Sequence, residues 1–211
     1  MSKIQEISST IQSGKVKLIE SMVQEALDAG EDANMILNDG MVSAMAIIGQ
    51  KFQDNEIFVP EMLVAAKTMK KGVEVLRPHL SGNSVGKNGK YIIGTVAGDM
   101  HDIGKNLVAL MIESSGFEVI DLGVDVPPEK FVEAIKQNPD CKLVGASALL
   151  TTTMESLKNT VKAISDSGYK SQVKIMVGGA PVTQEFADEI GADAYTADAG
   201  SAAVKAVELV Q

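Results

Sequence analysis

Tyr91-Ile92-Ile93-Gly94-Thr95-Val96, running on into Ala97-Gly98-Asp99-Met100-His101-Asp102-Ile103-Gly104-Lys105-Asn106, decides the fold. The first six residues form a short apolar run rich in β-branched and aromatic side chains, which fits a strand covered on both faces. The run breaks at a glycine-bounded turn, after which apolar residues resume at helical spacing. A covered strand that turns into a helix is the opening of a βαβ unit.

The same alternation continues to the end of the sequence. Strands are expected from Tyr91 to Val96, Glu118 to Leu122, Leu143 to Ser147, Lys174 to Val177 and, briefly, Ala194 to Thr196. Helices are expected from Gly104 to Ser115, Pro128 to Gln137, Thr152 to Ser167, Thr183 to Ile190 and Ser201 to Val210. Five strands with intervening helices predict a doubly wound five-stranded parallel sheet, an α/β domain of Rossmann-like, flavodoxin type. Ligands of such sheets sit beyond the carboxyl ends of the strands, so the loops after Val96, Ser147 and Val177 should converge on one site.

Upstream the pattern differs. Apolar residues recur at three and four through Ile4, Ile7, Ile11, then Val16, Ile19, Val23, Leu27, then Met35 to Phe52, and again after Pro60, a position proline tolerates near a helix start. Four or five helices in a small bundle are predicted. The stretch Arg77-Pro78-His79-Leu80-Ser81-Gly82-Asn83-Ser84-Val85-Gly86 interrupts all periodicity and reads as a linker. The expected division is a helical domain over residues 1–85 and an α/β domain over residues 86–211, with a hinge between Pro78 and Gly89.

Composition narrows the chemistry. The 211 residues carry 19 Lys and Arg against 28 Asp and Glu, a formal charge of -9, which offers no basic excess for a phosphate backbone or an anionic membrane. Neither nucleic acid nor membrane is an expected partner. No apolar stretch approaches the ~18 residues of a bilayer span, and the N-terminus lacks the features of a secretion signal, so the expected location is cytoplasmic. One cysteine, Cys141, and two histidines, His79 and His101, are too few for a zinc site of Cys and His ligands.

The turn after the first strand is not a phosphate loop. Five residues separate Gly98 from Gly104 where a Walker loop has four, Asn106 replaces its Ser or Thr, and Asp99 and Asp102 would repel phosphate. No Gly-x-Gly-x-x-Gly occurs there either. What remains is an imidazole flanked by carboxylates. A carboxylate two residues before a histidine can hold one ring nitrogen and leave the other free for a metal. One protein nitrogen suits a macrocycle that already supplies four and needs an axial ligand.

Asp99-Met100-His101-Asp102-Ile103-Gly104 resembles the Asp-x-His-x-x-Gly signature of cobalamin-binding domains, in which His replaces the cofactor's own benzimidazole beneath cobalt. Ser147-Ala148-Leu149 resembles the family's Ser-x-Leu run, and Gly178-Gly179-Ala180 its Gly-Gly block. Gln50-Lys51-Phe52 followed by Glu56-Ile57-Phe58-Val59-Pro60-Glu61 resembles the helical cap of methyl-transferring cobalamin proteins. The resemblance spans nearly the whole chain. It points to the corrinoid proteins of methanol, methylamine and methoxyaromatic methyltransferase systems, and to the cobalamin-binding module of methionine synthase.

That resemblance implies roles. His101 would be the lower axial ligand of cobalt, Asp99 its hydrogen-bond partner, and Thr153 the third member of a relay, standing where relatives carry Ser. Met100 would pack against the corrin underside, Asp102 and Ile103 would contact the cofactor, and Gly104 would let the displaced nucleotide tail approach the backbone. Gly94, Gly178, Gly179 and Ala180 would leave room for the displaced nucleotide tail, with Ser147, Leu149 and Thr151 against its benzimidazole and Tyr195 and Ala199 farther along it. Phe58 would belong to the cap. Met62 and Met69 fit ordinary core filling as well as a lid. Lys105 and Asn106 read as exposed first-turn residues.

The implied cofactor is cobalamin, as methylcobalamin, hydroxocobalamin or a related corrinoid. The implied function is a base-off carrier that shuttles a methyl group from a donor-specific methyltransferase to an acceptor methyltransferase, with a reductive activation protein as a further partner. Such a chain is a subunit of a multi-component system, not an enzyme by itself. The alternatives are a cobalamin sensor or storage protein, a subunit of an adenosylcobalamin mutase, and a flavodoxin-like domain without cobalamin. The sequence does not identify the methyl donor.

Overall fold

The computed structural model describes residues 2–79 and 88–211, apart from the side chains of Gln53 and Arg77. The expected boundary at residue 85 and most of the expected hinge lie outside the described residues. The chain forms two compact units, Met1–Lys87 with Ser114–Gly116, and Asn88–Glu113 with Phe117–Gln211.

The first unit is helical. Helix α1 (Lys3–Gln12) opens on a capping box in which the Ser2 hydroxyl accepts from Gln5 N–H and the Gln5 side chain accepts from Ser2 N–H. Helix α2 (Ile19–Asp28) gives way at Gly30, whose φ of 86° lies in the left-handed region. Asp32 caps a short helix α3 (Ala33–Met35) by accepting from Asn34 and Met35 N–H. The chain then passes through a π-helical segment, Ile36–Val42, into α4 (Ser43–Gln53), and α5 (Val59–Leu76) follows. Apolar spacing predicts the helices here but not the π turn. Ile7, Ile11, Ile19, Val23, Met41, Met45, Ile48, Met62, Met69 and Leu76 are all buried. Met62 and Met69 therefore fill core. At Gly72 a Cβ would lie 2.6 Å from Met41 Cε, so the glycine admits that methionine.

The second unit holds strands β1 (Lys90–Thr95), β2 (Glu118–Asp121), β3 (Cys141–Ser147), β4 (Lys174–Gly178) and β5 (Ala194–Tyr195), all parallel in the order β2-β1-β3-β4-β5. Between and after them lie α6 (Ile103–Ser114), α7 (Pro128–Gln137), α8 (Met154–Asp166), α9 (Gln184–Ile190) and α10 (Ala199–Val210). The order reverses at β1 and β3, which is where a doubly wound sheet opens its crevice. The expected helix from Thr152 begins instead as a 3-10 turn, Thr151–Thr153, ahead of α8.

The two faces of the sheet are distinct because side chains alternate along each strand. Ile92, Val96, Val144, Ala146, Ile175 and Val177 pack with Phe131 of α7, Leu157 and Val161 of α8, and Ala187 of α9. The register places Tyr91, Ile93, Thr95, Leu143, Gly145, Ser147, Met176 and Gly178 on the opposite face.

Candidate functional site

The site is built on the carboxyl end of β1. Asp99 is fully buried in the loop that leaves the strand, and five donors converge on its carboxylate. Oδ1 accepts from His101 N–H at 3.1 Å and contacts His101 Nδ1 at 2.7 Å. Oδ2 accepts from Leu149 N–H at 2.7 Å, Leu150 N–H at 3.4 Å and the Thr153 hydroxyl at 2.8 Å. Burial opposes charge on Asp99, but the Leu149 N–H, the His101 ring, the Thr153 hydroxyl and the His101 N–H outweigh it and hold the carboxyl well below the ordinary aspartate range.

This arrangement fixes the imidazole. With Nδ1 facing an ionised carboxylate, the neutral ring carries its proton on Nδ1 and presents Nε2 as a lone pair. No hydrogen bond to Nε2 is found among the described residues, and the side chain is 50% exposed. The Thr153 hydroxyl also lies 2.9 Å from Leu150 C=O, so its single proton has two acceptors in reach.

Apolar residues surround the imidazole in sequence and stand unusually open. Met100 is 69% exposed and Ile103 85%, with Leu149 and Leu150 also exposed. Gly104 has nothing within 4 Å of where a Cβ would stand, so its backbone is open to close approach. Asp102 is exposed and accepts from the Asn106 amide at 3.1 Å.

The structure places the other expected positions as follows. Gly94 lies on the α7 face, where a Cβ would come 2.8 Å from Phe131 Cζ, so the glycine makes room for that ring and faces away from Ser147 and Gly178. Tyr195 packs against the same core. Gly179 has φ 127°, and a Cβ there would collide with the Ala148 carbonyl, so the fold itself requires glycine. Gly178 is half-buried, Ala180 and Thr151 are exposed, and Ala199 is buried at the start of α10. Phe58, in the helical unit, is 65% exposed. Lys105, expected on the surface, is buried, with Nζ 2.5 Å from Asp121 Oδ2 and 2.7 Å from Asn106 Oδ1.

Two supporting residues escape sequence reasoning. Thr95 is buried at the end of β1 and its hydroxyl donates to His101 C=O at 2.8 Å. Asp125, in the left-handed region at φ 52°, accepts from Gly98 N–H at 2.7 Å and donates its own N–H to Asp99 C=O at 2.9 Å. A polar residue closing an apolar strand is a signal that could reveal Thr95. Asp125 arrives from a different loop and leaves no local pattern.

An exposed lone-pair nitrogen of fixed tautomer, in a loop of solvent-facing apolar side chains, fits a single bond to a metal whose other positions a macrocycle fills. Among the described residues no group of three or more His, Cys, Asp or Glu could hold a bare metal ion. Residues 89–208 match the B12 binding domain, and residues 3–77 match a second B12 binding domain model. The chain belongs to this B12-binding family of corrinoid proteins. It is 42% identical to the dimethylamine corrinoid protein 2 of Methanosarcina mazei over 208 residues, covering 98% of this chain and 96% of that one. Its fold is similar to that of a cobalamin-binding protein from Desulfitobacterium hafniense DCB-2, at a TM-score of 0.83 and 28% identity over 99% of this chain and 98% of that one. It is also similar to a chain of the methanol:cobalamin methyltransferase complex MtaBC from Methanosarcina barkeri, at a TM-score of 0.84 and 28% identity, covering 99% of this chain and 79% of that one.

Proposed function

We propose that this chain binds its corrinoid with the cofactor's own base displaced and His101 Nε2 as the lower axial ligand, and that it carries methyl groups between two methyltransferases. The observation that carries the reading is the Asp99–His101 contact at 2.7 Å, which fixes the ring with its unpaired nitrogen outward. When bound, the corrinoid supplies a nucleophilic cobalt able to accept and release a methyl group.

The residues of the chain do the rest. Asp99 orients His101 and holds the Nδ1 proton, making the imidazole a better donor whenever Nε2 is engaged. Thr153 keeps Asp99 ionised and in place, and its second acceptor, Leu150 C=O, lets the hydroxyl turn without losing a partner. The exposed Met100, Ile103, Leu149 and Leu150 would give a bound corrinoid an apolar seat. The similarity to a chain of a methanol:cobalamin methyltransferase complex supports a methyltransferase as partner, and an acceptor methyltransferase and a reductive activation protein complete the proposed set.

The test is reconstitution of the apo protein with hydroxocobalamin, followed by assay with amine and methanol methyltransferases. The expected result is the absorption spectrum of a nitrogen-ligated corrinoid, which His101→Ala converts to a base-off one, and methyl transfer with one donor enzyme. In His101→Ala the corrinoid still binds, and methyl cycling falls by about tenfold or more. Unchanged spectra and rates in that variant would overturn the axial role.

A further inference from the structure

The fold hides nearly all of the methionine sulfur in this chain. Met41, Met45, Met62, Met69, Met111 and Met176 are buried. Met22 is half-buried and its sulfur accepts from the Thr10 hydroxyl at 3.1 Å, and Met154 is half-buried against the core of the α/β unit. Among the described residues that leaves Met35, 49% exposed, and Met100, 69% exposed. An oxidant in water reaches these two thioethers first.

Met100 differs from Met35 in what holds it and in what stands around it. Its backbone is pinned on both sides: Asp99 N–H donates to Val96 C=O at 3.1 Å, His101 N–H to Asp99 Oδ1 at 3.1 Å, and the Thr95 hydroxyl to His101 C=O at 2.8 Å. The loop has no slack to fold the side chain inward, so the thioether stays in solvent. Ile103, Leu149 and Leu150 are exposed as well, and with Met100 they form the apolar seat described above. The most exposed thioether of the described chain thus stands next to the imidazole on which the proposed function turns.

Resting on that reading, we propose that Met100 is an oxidation site that controls loading of the cofactor: a peroxide converts its thioether to the sulfoxide, and the oxidised chain binds corrinoid poorly until the sulfoxide is reduced. In the step the sulfur gives an electron pair to one peroxide oxygen, and the O–O bond breaks as the S–O bond forms. The second oxygen takes the proton of the transferred hydroxyl and leaves as water, so the sulfur loses the two electrons that the peroxide gains. A dithiol-dependent reductase reverses the change, its two thiols closing to a disulfide as the oxygen departs as water. Water satisfies the sulfoxide oxygen while the loop is open. Beneath a corrinoid, among Ile103, Leu149 and Leu150, that water would be stripped from it, which opposes binding. A seated cofactor covers the sulfur in turn, so a loaded chain resists oxidation and an oxidised chain resists loading.

The experiment treats the full-length apo protein with dilute hydrogen peroxide and follows each methionine by mass spectrometry of its peptides. Met35 and Met100 should oxidise first. With hydroxocobalamin bound, oxidation of Met100 should slow several-fold relative to Met35, the internal reference for any peroxide the corrinoid consumes. In absorption titrations the oxidised protein should bind hydroxocobalamin about tenfold more weakly than the untreated one. Methionine sulfoxide reductase with dithiothreitol should restore the affinity. Met100→Leu should bind equally before and after peroxide, whatever its starting affinity, whereas Met35→Leu should lose affinity as wild type does. The melting temperature should not change on treatment; a fall would assign the loss to unfolding and overturn the proposal. Undiminished binding by the oxidised protein, or a loss in treated Met100→Leu, would overturn it while leaving the axial role of His101 intact. Met100 oxidised as fast in the loaded protein, together with a wild-type spectrum in His101→Ala, would place the cofactor elsewhere and overturn the underlying reading as well.

Discussion

At the residue scale the site depends on a buried carboxylate that never lacks a donor. Thr153 supplies one of five, so Thr153→Val should cost about 1–2 kcal/mol in urea unfolding, whereas Thr153→Ser should cost less because it keeps the hydroxyl. A valine protein as stable as wild type would show that the bond to Asp99 contributes nothing. Thr95→Val keeps the shape of the side chain and strands the His101 carbonyl. It should weaken corrinoid binding with little change in the fold, and unaltered affinity by absorption titration would contradict the role given to Thr95. The triad of Asp99, His101 and Thr153 was legible because its first two members lie in one short motif and its third in a recognisable block. Thr95 and Asp125 were not, because their contribution is made through backbone atoms that sequence spacing does not reveal.

At the element scale the helices and longer strands of the α/β unit followed from alternating apolar runs, whereas β5, Ala194–Tyr195, is two residues and has no period to show. What the runs could not show was which face a small residue serves. Gly94 and Gly178 look alike in sequence, and only the pleat separates them, one turned to Phe131 and the other to the side of Ser147. Lys105 illustrates the same limit, because the first turn of α6 looks exposed until β2 places Asp121 against it. That pair makes an asymmetric prediction. Asp121→Asn leaves a buried ammonium without its counter-charge and should destabilise by about 2–4 kcal/mol, whereas Lys105→Met leaves a carboxylate, 41% exposed, that water can solvate and should cost about 1 kcal/mol. Equal losses in urea unfolding would contradict this. Gly179→Ala combines a forbidden backbone angle with a collision at Ala148, and should cost about 2–3 kcal/mol and lower the melting temperature by several degrees.

At the scale of the whole molecule, stability should depend on pH through carboxylates that the fold keeps ionised. Asp99 is one. Asp193 is another: burial works against its charge, but the Lys170 ammonium and the Ile175 N–H hold its pKa below the ordinary value. Both bind protons more weakly folded than unfolded, where an aspartate titrates near ~3.9. Their contribution is therefore complete above that range and is lost as pH falls through the folded values. Urea midpoints should hold steady between about pH 5 and 8 on this account and drop below about pH 4, with a shallower drop in Asp193→Asn. Cys141 behaves oppositely, since burial pushes its thiol up to about 11. It should resist thiol reagents at pH 8 in the native protein and react at once after denaturation, which a timed labelling assay would show.

The central claim is that a nitrogen of this chain, and not of the cofactor, stands beneath the cobalt. Electron paramagnetic resonance of the cobalt(II) form tests it most directly, with protein grown on histidine enriched in nitrogen-15 and reconstituted with unlabelled corrinoid. Each cobalt hyperfine line should change from a nitrogen triplet to a doublet, and His101→Ala should remove the labelled splitting while His79→Gln keeps it. Triplets that persist in the labelled protein would place the cofactor's own base on the metal and contradict the account.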